Sequence, residues 1–272
     1  MSTTVVWFRN DLRLHDHAAL THAAERGAVV PVFVWAPDEE GEWAPGGAHQ
    51  WWLHESLGAL DRSLQDRGSR LTLRHGPSLD ELLAVCRHVG ADQVVWQSRL
   101  APALRQRDAE VRDGLEAEGI EVRQFAGRIL HDPAEIQTGS GGPYKVFTPF
   151  WRKFRAQIAI GDALDAPAIG ESRAPSRWPA SVDRDALGLT AEAQDGVDWS
   201  ERMHETWTPG EAGATDRLDA FLDAALVDYD EGRDYPARHD TSMLSPHLHW
   251  GEISPRQVWH AVDGWVQNGT MR

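Results

Sequence analysis

Few stretches of this chain combine residue types at spacings that could do chemistry. The run Thr241-Ser242-Met243-Leu244-Ser245, followed by Pro246, stands first among them. Proline favours the first turn of a helix, and serine the position that caps it. A helix start with free N–H groups and neighbouring hydroxyls suits an anion such as a phosphate; an ordinary helix cap has the same composition. Tyr229 lies twelve residues earlier, at the end of an amphipathic stretch. Arg233 follows it by four, within reach of Tyr229, Asp230 or Asp234. Asp11, Arg13 and Asp16 follow the first strand-like segment. They suit a ligand at a sheet edge, or an ion-pair cluster fixing a contact between domains. Trp51 and Trp52 are adjacent on a predicted helix and point about 100° apart. One can pack inward while the other faces a cleft, so stacking on a planar cofactor and plain packing are both open. His247 and His249 are two apart and share no helical face, so with His239 they make no metal site. No nucleophile, acid or base stands out as catalytic. Cys86 falls on the apolar face of a helix, where core packing is expected.

Strands and helices alternate to position these groups. Residues 3–9, 28–35, 71–74, 92–97 and 120–125 are short, β-branched and apolar, and read as buried strands. Between them lie helical stretches of 10–20 residues, most of them closed by glycine. Asp16 is placed to cap the first helix, and Ser78 with Glu81 to form a capping box. Pro31 weakens the second strand assignment. The pattern predicts an α/β, Rossmann-like domain over residues 1–130 with a five-stranded parallel sheet. The first strand-to-helix turn reads RNDLRLHD, so the glycine-rich dinucleotide fingerprint is missing. Residues 131–215 read as a helix from Tyr144 and then a long surface linker. Residues 216–272 read as further helices, the first carrying Leu218, Phe221, Leu222, Ala225 and Leu226 on one face.

Composition narrows the classes. The 272 residues, 41% apolar and 25% charged, can build a real core. The longest apolar stretch, Ala28 to Ala36, is far short of the ~20 residues that span a membrane. The N-terminus has no secretory pattern, and the single cysteine excludes an intramolecular disulfide, so the expected compartment is the cytoplasm. The net charge of −15 argues against a generic nucleic-acid binder. However, residues 161–240 hold 19 of the 42 acidic side chains against 7 of the 27 cations. All cations but Lys145 and Lys153 are arginines, which suit bidentate contacts to phosphate and carboxylate.

Five blocks then resemble the photolyase/cryptochrome flavoproteins, in the branch nearest the plant cryptochromes. They are WFRNDLRLHDHAAL at 7–20, WAPDEEGEWAPGGAHQWWLHESLGAL at 35–60, YKVFTPFWRKF at 144–154, WTPGEAGATDRLDAFL at 207–222 and YDEGRDYPARHDTSMLSPHLHWGEISPRQVW at 229–259. The resemblance implies that residues 216–272 open an all-α FAD-binding domain. It implies that Tyr229 and Thr241, Ser242, Met243, Leu244 and Ser245 contact FAD, and that Arg233 faces DNA phosphate. It implies a light-harvesting antenna chromophore near the first domain, a reduced folate (methenyltetrahydrofolate) before a deazaflavin, with Trp51 and Trp52 as candidate stacking partners. The implied activity is blue-light-driven repair of cyclobutane pyrimidine dimers in DNA by a monomer. The alternative is a cryptochrome-like photoreceptor. Family members run on well beyond this length, so the chain is expected to be a C-terminally truncated part, inactive in repair alone.

Overall fold

Side-chain alternation decides how the sheet is covered. In β1 (Ser2–Phe8) and β2 (Gly27–Trp35), Val6, Phe8, Val29, Phe33 and Trp35 turn to one face. Val5, Trp7, Val30, Val32 and Val34 turn to the other. Strands apolar on both faces have to be buried on both. Helices α1 (Ala18–Arg26) and α2 (Gly47–Gln65) cover the first face. Helices α3 (Ser78–Val89) and α4 (Pro102–Ala117) cover the second, where Cys86 sits in the core. With β3 (Thr72–His75), β4 (Gln93–Gln97) and β5 (Glu121–Phe125) the strands form one parallel sheet, in the order β3-β2-β1-β4-β5. This is the α/β five-stranded sheet that the sequence predicts. The order reverses between β1 and β4, so loops leaving their carboxyl ends diverge and open a crevice there. Pro31 is accommodated because the β2–β3 ladder begins only at Val32, opposite Thr72.

The computed structural model describes residues 2–190 and 198–269. Residues 191–197, inside the expected linker, and 270–272, at the end of the expected last helix, lie outside the described residues. After β5 come α5 (Phe147–Gln157) and a stretch with few regular elements. That stretch is pinned to the first domain. Ile169, Leu187 and Leu189 enter the core beside α2, and Val182 N–H donates to the Leu73 carbonyl at 2.9 Å. Helices α6 (Ser200–Thr206), α7 (Glu211–Ala224), α8 (Tyr229–Gly232), α9 (Ser245–Trp250) and α10 (Pro255–Gly269) follow. Helices α7, α9 and α10 gather around Ala214, Leu218, Leu222, Leu244 and Ile253. No helix among the described residues is long and apolar enough to cross a membrane.

Helix starts differ from expectation because tertiary partners claim the capping side chains. His17, not Asp16, caps α1: its Nδ1 accepts from Leu20 N–H at 3.1 Å. Asp16 adopts φ +49 and bonds to distant chain instead. The capping box at Ser78 does not form. Ser78 donates from N–H and Oγ to Glu39, and Glu81 binds Arg74 at 2.6 Å. Helix α7 begins at Glu211 rather than Asp216, because the Glu211 carboxylate is fixed by the amides of Leu14 and His15, both at 3.0 Å.

Candidate cofactor site

In the turn after β1, the side chains of Asp11, Arg13 and Asp16 are engaged by protein. Asp11 accepts from Arg9 N–H at 2.6 Å and lies 3.1 Å from His17 Nε2. Burial alone would raise its pKa, but His17 and Arg9 outweigh burial and hold it at about 2. Arg13 donates to the carbonyls of Gly251 (2.9 Å), Asp16 (2.7 Å) and Gly127 (3.2 Å). Asp16 accepts from Ser254 Oγ at 2.5 Å. Leu12 N–H and Asn10 Nδ2 reach the carbonyls of Trp250 and His249. Arg13 and Asp16 therefore clamp the sheet edge onto Gly251 and Ser254, while Asp11 holds the turn itself together through Arg9 and His17.

Beside this clamp, at the switch point between β1 and β4, lies a cavity of about 730 Å³. Its walls come from the carboxyl ends of the strands and the loops after them: Phe33 to Trp35, Arg99 to Leu104, Arg128, and Glu40 and Glu42. Arg9, Arg99, Arg107 and Arg128 also line it. Arg99 and Arg107 share Glu40 at 3.1 and 3.2 Å, and Arg9 and Arg107 share Asp108 at 2.8 and 2.9 Å. Arg128 has no carboxylate partner among the described residues; it donates to the His249 carbonyl at 3.2 Å. Burial lowers its pKa to about 10, still charged at neutral pH. Burial, then His49, Arg128 and Arg99, push His249 down to about 4, so its ring is neutral. The cavity thus keeps an unshared cation for an anionic ligand.

A second hollow of about 390 Å³ shares His49, His249 and Trp250 with the first. Trp52, Trp207, Met203, Ser245 and Pro246 complete it. Trp52 and Trp207 meet edge to face with centroids 5.3 Å apart. Of the two tryptophans singled out in the sequence, Trp52 borders this hollow. Trp51 does not line it; it is buried, with Nε1 3.3 Å from His204 Nε2.

In the helical part, Arg233 lies over the Tyr229 ring at 5.7 Å and pairs with Asp230 at 3.3 Å. Both side chains are substantially exposed. Gly232 abuts Asp240, where an added Cβ would lie 2.4 Å from Asp240 Cβ. That close approach seats α8 against the start of the Thr241–Ser245 run. Thr241 and Ser245 are exposed, Ser242 and Met243 half-buried, and the Leu244 side chain is committed to the helical core. Met243 adopts φ +50 and turns the chain, so Leu244 takes the cap position of α9 and Ser245 its first helical one. No side chain caps α9. Pro246 has no N–H, so the donors of this first turn are the amides of Ser245 and His247, and no side chain among the described residues takes them.

Sequence reasoning missed Arg99, Arg128, His49, Trp207 and Trp250. The available signal was position: Arg99 and Arg128 follow β4 and β5 directly, where ligands of doubly wound sheets bind. Among the described residues, no group of three or more His, Cys, Asp or Glu side chains is placed to hold a metal ion.

A doubly wound sheet with a cationic cavity at its switch point is thus clamped to a cluster of short helices. A model of the DNA photolyase family matches residues 4–169. The chain is 44% identical to a deoxyribodipyrimidine photo-lyase of Agrobacterium fabrum over 96% of its own length and 53% of that protein. It is 36% identical to cryptochrome-2 of Arabidopsis thaliana, over 95% of this chain and 42% of that one. The crystal structure of a bacterial class III photolyase from Agrobacterium tumefaciens superposes with a TM-score of 0.89 at 43% identity, covering 98% of this chain and 54% of that one. The chain belongs to the DNA photolyase family. It spans about half the length of the curated relatives it matches.

Proposed function

We propose that this chain supplies the antenna half, and the first flavin-contacting segment, of a blue-light-driven lyase that splits cyclobutane pyrimidine dimers in damaged DNA. The paired cavities at the switch point carry this reading. A reduced folate joins a planar pterin to a carboxylate-bearing tail. The aromatic hollow offers Trp52, Trp207 and Trp250 to the ring, and the adjoining cavity offers Arg128 to the tail. A deazaflavin, whose side chain is a neutral polyol, has less use for the arginine; methenyltetrahydrofolate is therefore the chromophore expected.

The Thr241–Ser245 run fits FAD. Thr241 and Ser245 are exposed, Met243 is held in a left-handed conformation, and the amides of Ser245 and His247 carry no side-chain cap. Thr241 and Ser245 would bind the diphosphate and ribityl region, with Tyr229 alongside. When bound and reduced, FAD supplies the photoexcited electron that opens the dimer. Arg233, exposed beside Tyr229, would meet the DNA phosphate. The chain's own residues bind and orient; none acts as acid, base or nucleophile. The protein is read as a cytoplasmic monomer.

The test is titration of the purified chain with methenyltetrahydrofolate, followed through quenching of tryptophan emission, with a deazaflavin in parallel. Saturable folate binding that weakens in Arg128→Ala supports the reading. The identity to cryptochrome-2 favours a second one, a photoreceptor with the same cofactors. Blue-light splitting of a dimer-containing oligonucleotide by a polypeptide of the relatives' full length separates the two.

A further inference from the structure

Glu252 is fully buried, yet its carboxylate lines neither cavity. Its Oε1 accepts from Trp52 Nε1 at 3.0 Å, from Gly210 N–H at 2.7 Å and from Ser56 Oγ. Its Oε2 lies 2.5 Å from His247 Nδ1. These partners belong to the three walls of the aromatic hollow. Trp52 and Ser56 stand on α2, four residues apart on one face. Gly210 ends the segment that carries Trp207. His247 sits in α9, between Ser245–Pro246 and His249–Trp250, which line the hollow. The His247 ring also meets Trp52 at 5.1 Å and Trp207 at 6.3 Å, edge to face.

We propose that Glu252 is the positioning residue of the aromatic hollow: one carboxylate sets the spacing of its three walls and the orientation of the Trp52 indole, and so decides whether the hollow admits a planar ring. A buried carboxylate costs solvation, and four convergent polar contacts offset that cost. Apolar packing would glue the same walls more cheaply but would not fix the indole's rotation, because only Trp52 Nε1 reports ring direction. Stacking requires both a set gap and a set orientation. The assignment of a folate to the hollow rests on the function proposed above; the geometric role of Glu252 does not.

The test compares Glu252→Leu, which removes all four contacts, with Glu252→Gln, whose amide can keep them once His247 presents Nδ1 as an acceptor. Folic acid is the probe, titrated by tryptophan quenching, and near-ultraviolet circular dichroism of the ligand-free protein, compared between variants, reads changes in the packing of the tryptophans around Glu252, Trp52 and Trp207. Expected are folic acid binding at least about tenfold weaker and an altered near-ultraviolet spectrum in E252L, with E252Q close to wild type. Far-ultraviolet spectra confirm that the sheet domain remains folded. Wild-type affinity and an unchanged near-ultraviolet spectrum in folded E252L would overturn the proposal, as would an E252Q that is as impaired as E252L. If E252L does not fold, Glu252→Asp, one methylene shorter, carries the test: a shifted spectrum upholds the proposal and an unchanged one overturns it. If wild type binds no folic acid, the folate assignment fails, and the spectra alone decide the role of Glu252.

Discussion

The Arg13 guanidinium donates to the carbonyl of Gly251 at 2.9 Å, across 238 residues of sequence. That bond joins the turn after the first strand to the loop after α9. The same turn also reaches the end of α9 itself, through the Leu12–Trp250 and Asn10–His249 hydrogen bonds. In the wall shared by the two cavities, His249 and Trp250 are therefore supplied by the helical part and held by the sheet, and His49 comes from α2.

Replacing Arg13 with methionine should destabilise the chain by about 3 kcal/mol or more. The side chain is almost fully buried, and three carbonyls would lose a charged donor. Urea unfolding checks this, and a loss below about 1 kcal/mol would mean that water takes over the three carbonyls.

Gly251→Ala should open the clamp itself. Gly251 adopts φ +67, and an added Cβ would lie 2.2 Å from the Asn10 carbonyl oxygen. That is a backbone atom and cannot swing away. Limited proteolysis should cut near residues 240–255 well before the sheet domain melts; a wild-type digestion pattern would contradict the account.

Stability should fall in acid through Asp11. Its folded pKa of about 2 lies below the ordinary 3.8. The unfolded state thus takes up the proton first, and the stabilisation is complete above about pH 4 and lost as pH falls through 2. It amounts to about 2 kcal/mol at neutral pH. Asp11→Asn should be less stable at pH 7 and show a flatter profile below pH 4. Parallel profiles for the two proteins would remove Asp11 from the account.

Thr241→Ala with Ser245→Ala, in a chain that retains flavin, should weaken flavin binding about a hundredfold or more. Two hydrogen bonds to a charged group are worth roughly 1.5–3 kcal/mol each. Neither side chain caps α9, so helix stability should not change. Flavin titration with a thermal melt separates the two effects, and an unchanged dissociation constant would leave the run without a cofactor role.

The sheet was legible in the sequence because β1 and β2 are apolar on both faces and glycines close most of the helices. Helix starts were not, because Glu39, Arg74, Leu14 and Ser254 compete for the side chains of Ser78, Glu81, Glu211 and Asp16. Such competition comes from residues 7 to 238 positions away, beyond any local pattern. Trp51 and Trp52 illustrate the limit at the site. Their 100° separation on a helix tells that one can face a cleft, but not which, and the choice falls to Trp52 through its bond to Glu252. Trp207 and Trp250 were invisible as its neighbours, since tertiary packing alone brings together helices so distant in the chain.

The paired cavities are the centre of the account, and equilibrium binding of methenyltetrahydrofolate tests them most directly. Titrations would compare wild type with Trp52→Ala and Arg128→Ala at two salt concentrations. Saturable binding is predicted, weaker by about tenfold in each variant, with salt sensitivity reduced only in Arg128→Ala. Absence of binding, or affinity indifferent to both substitutions, would contradict it.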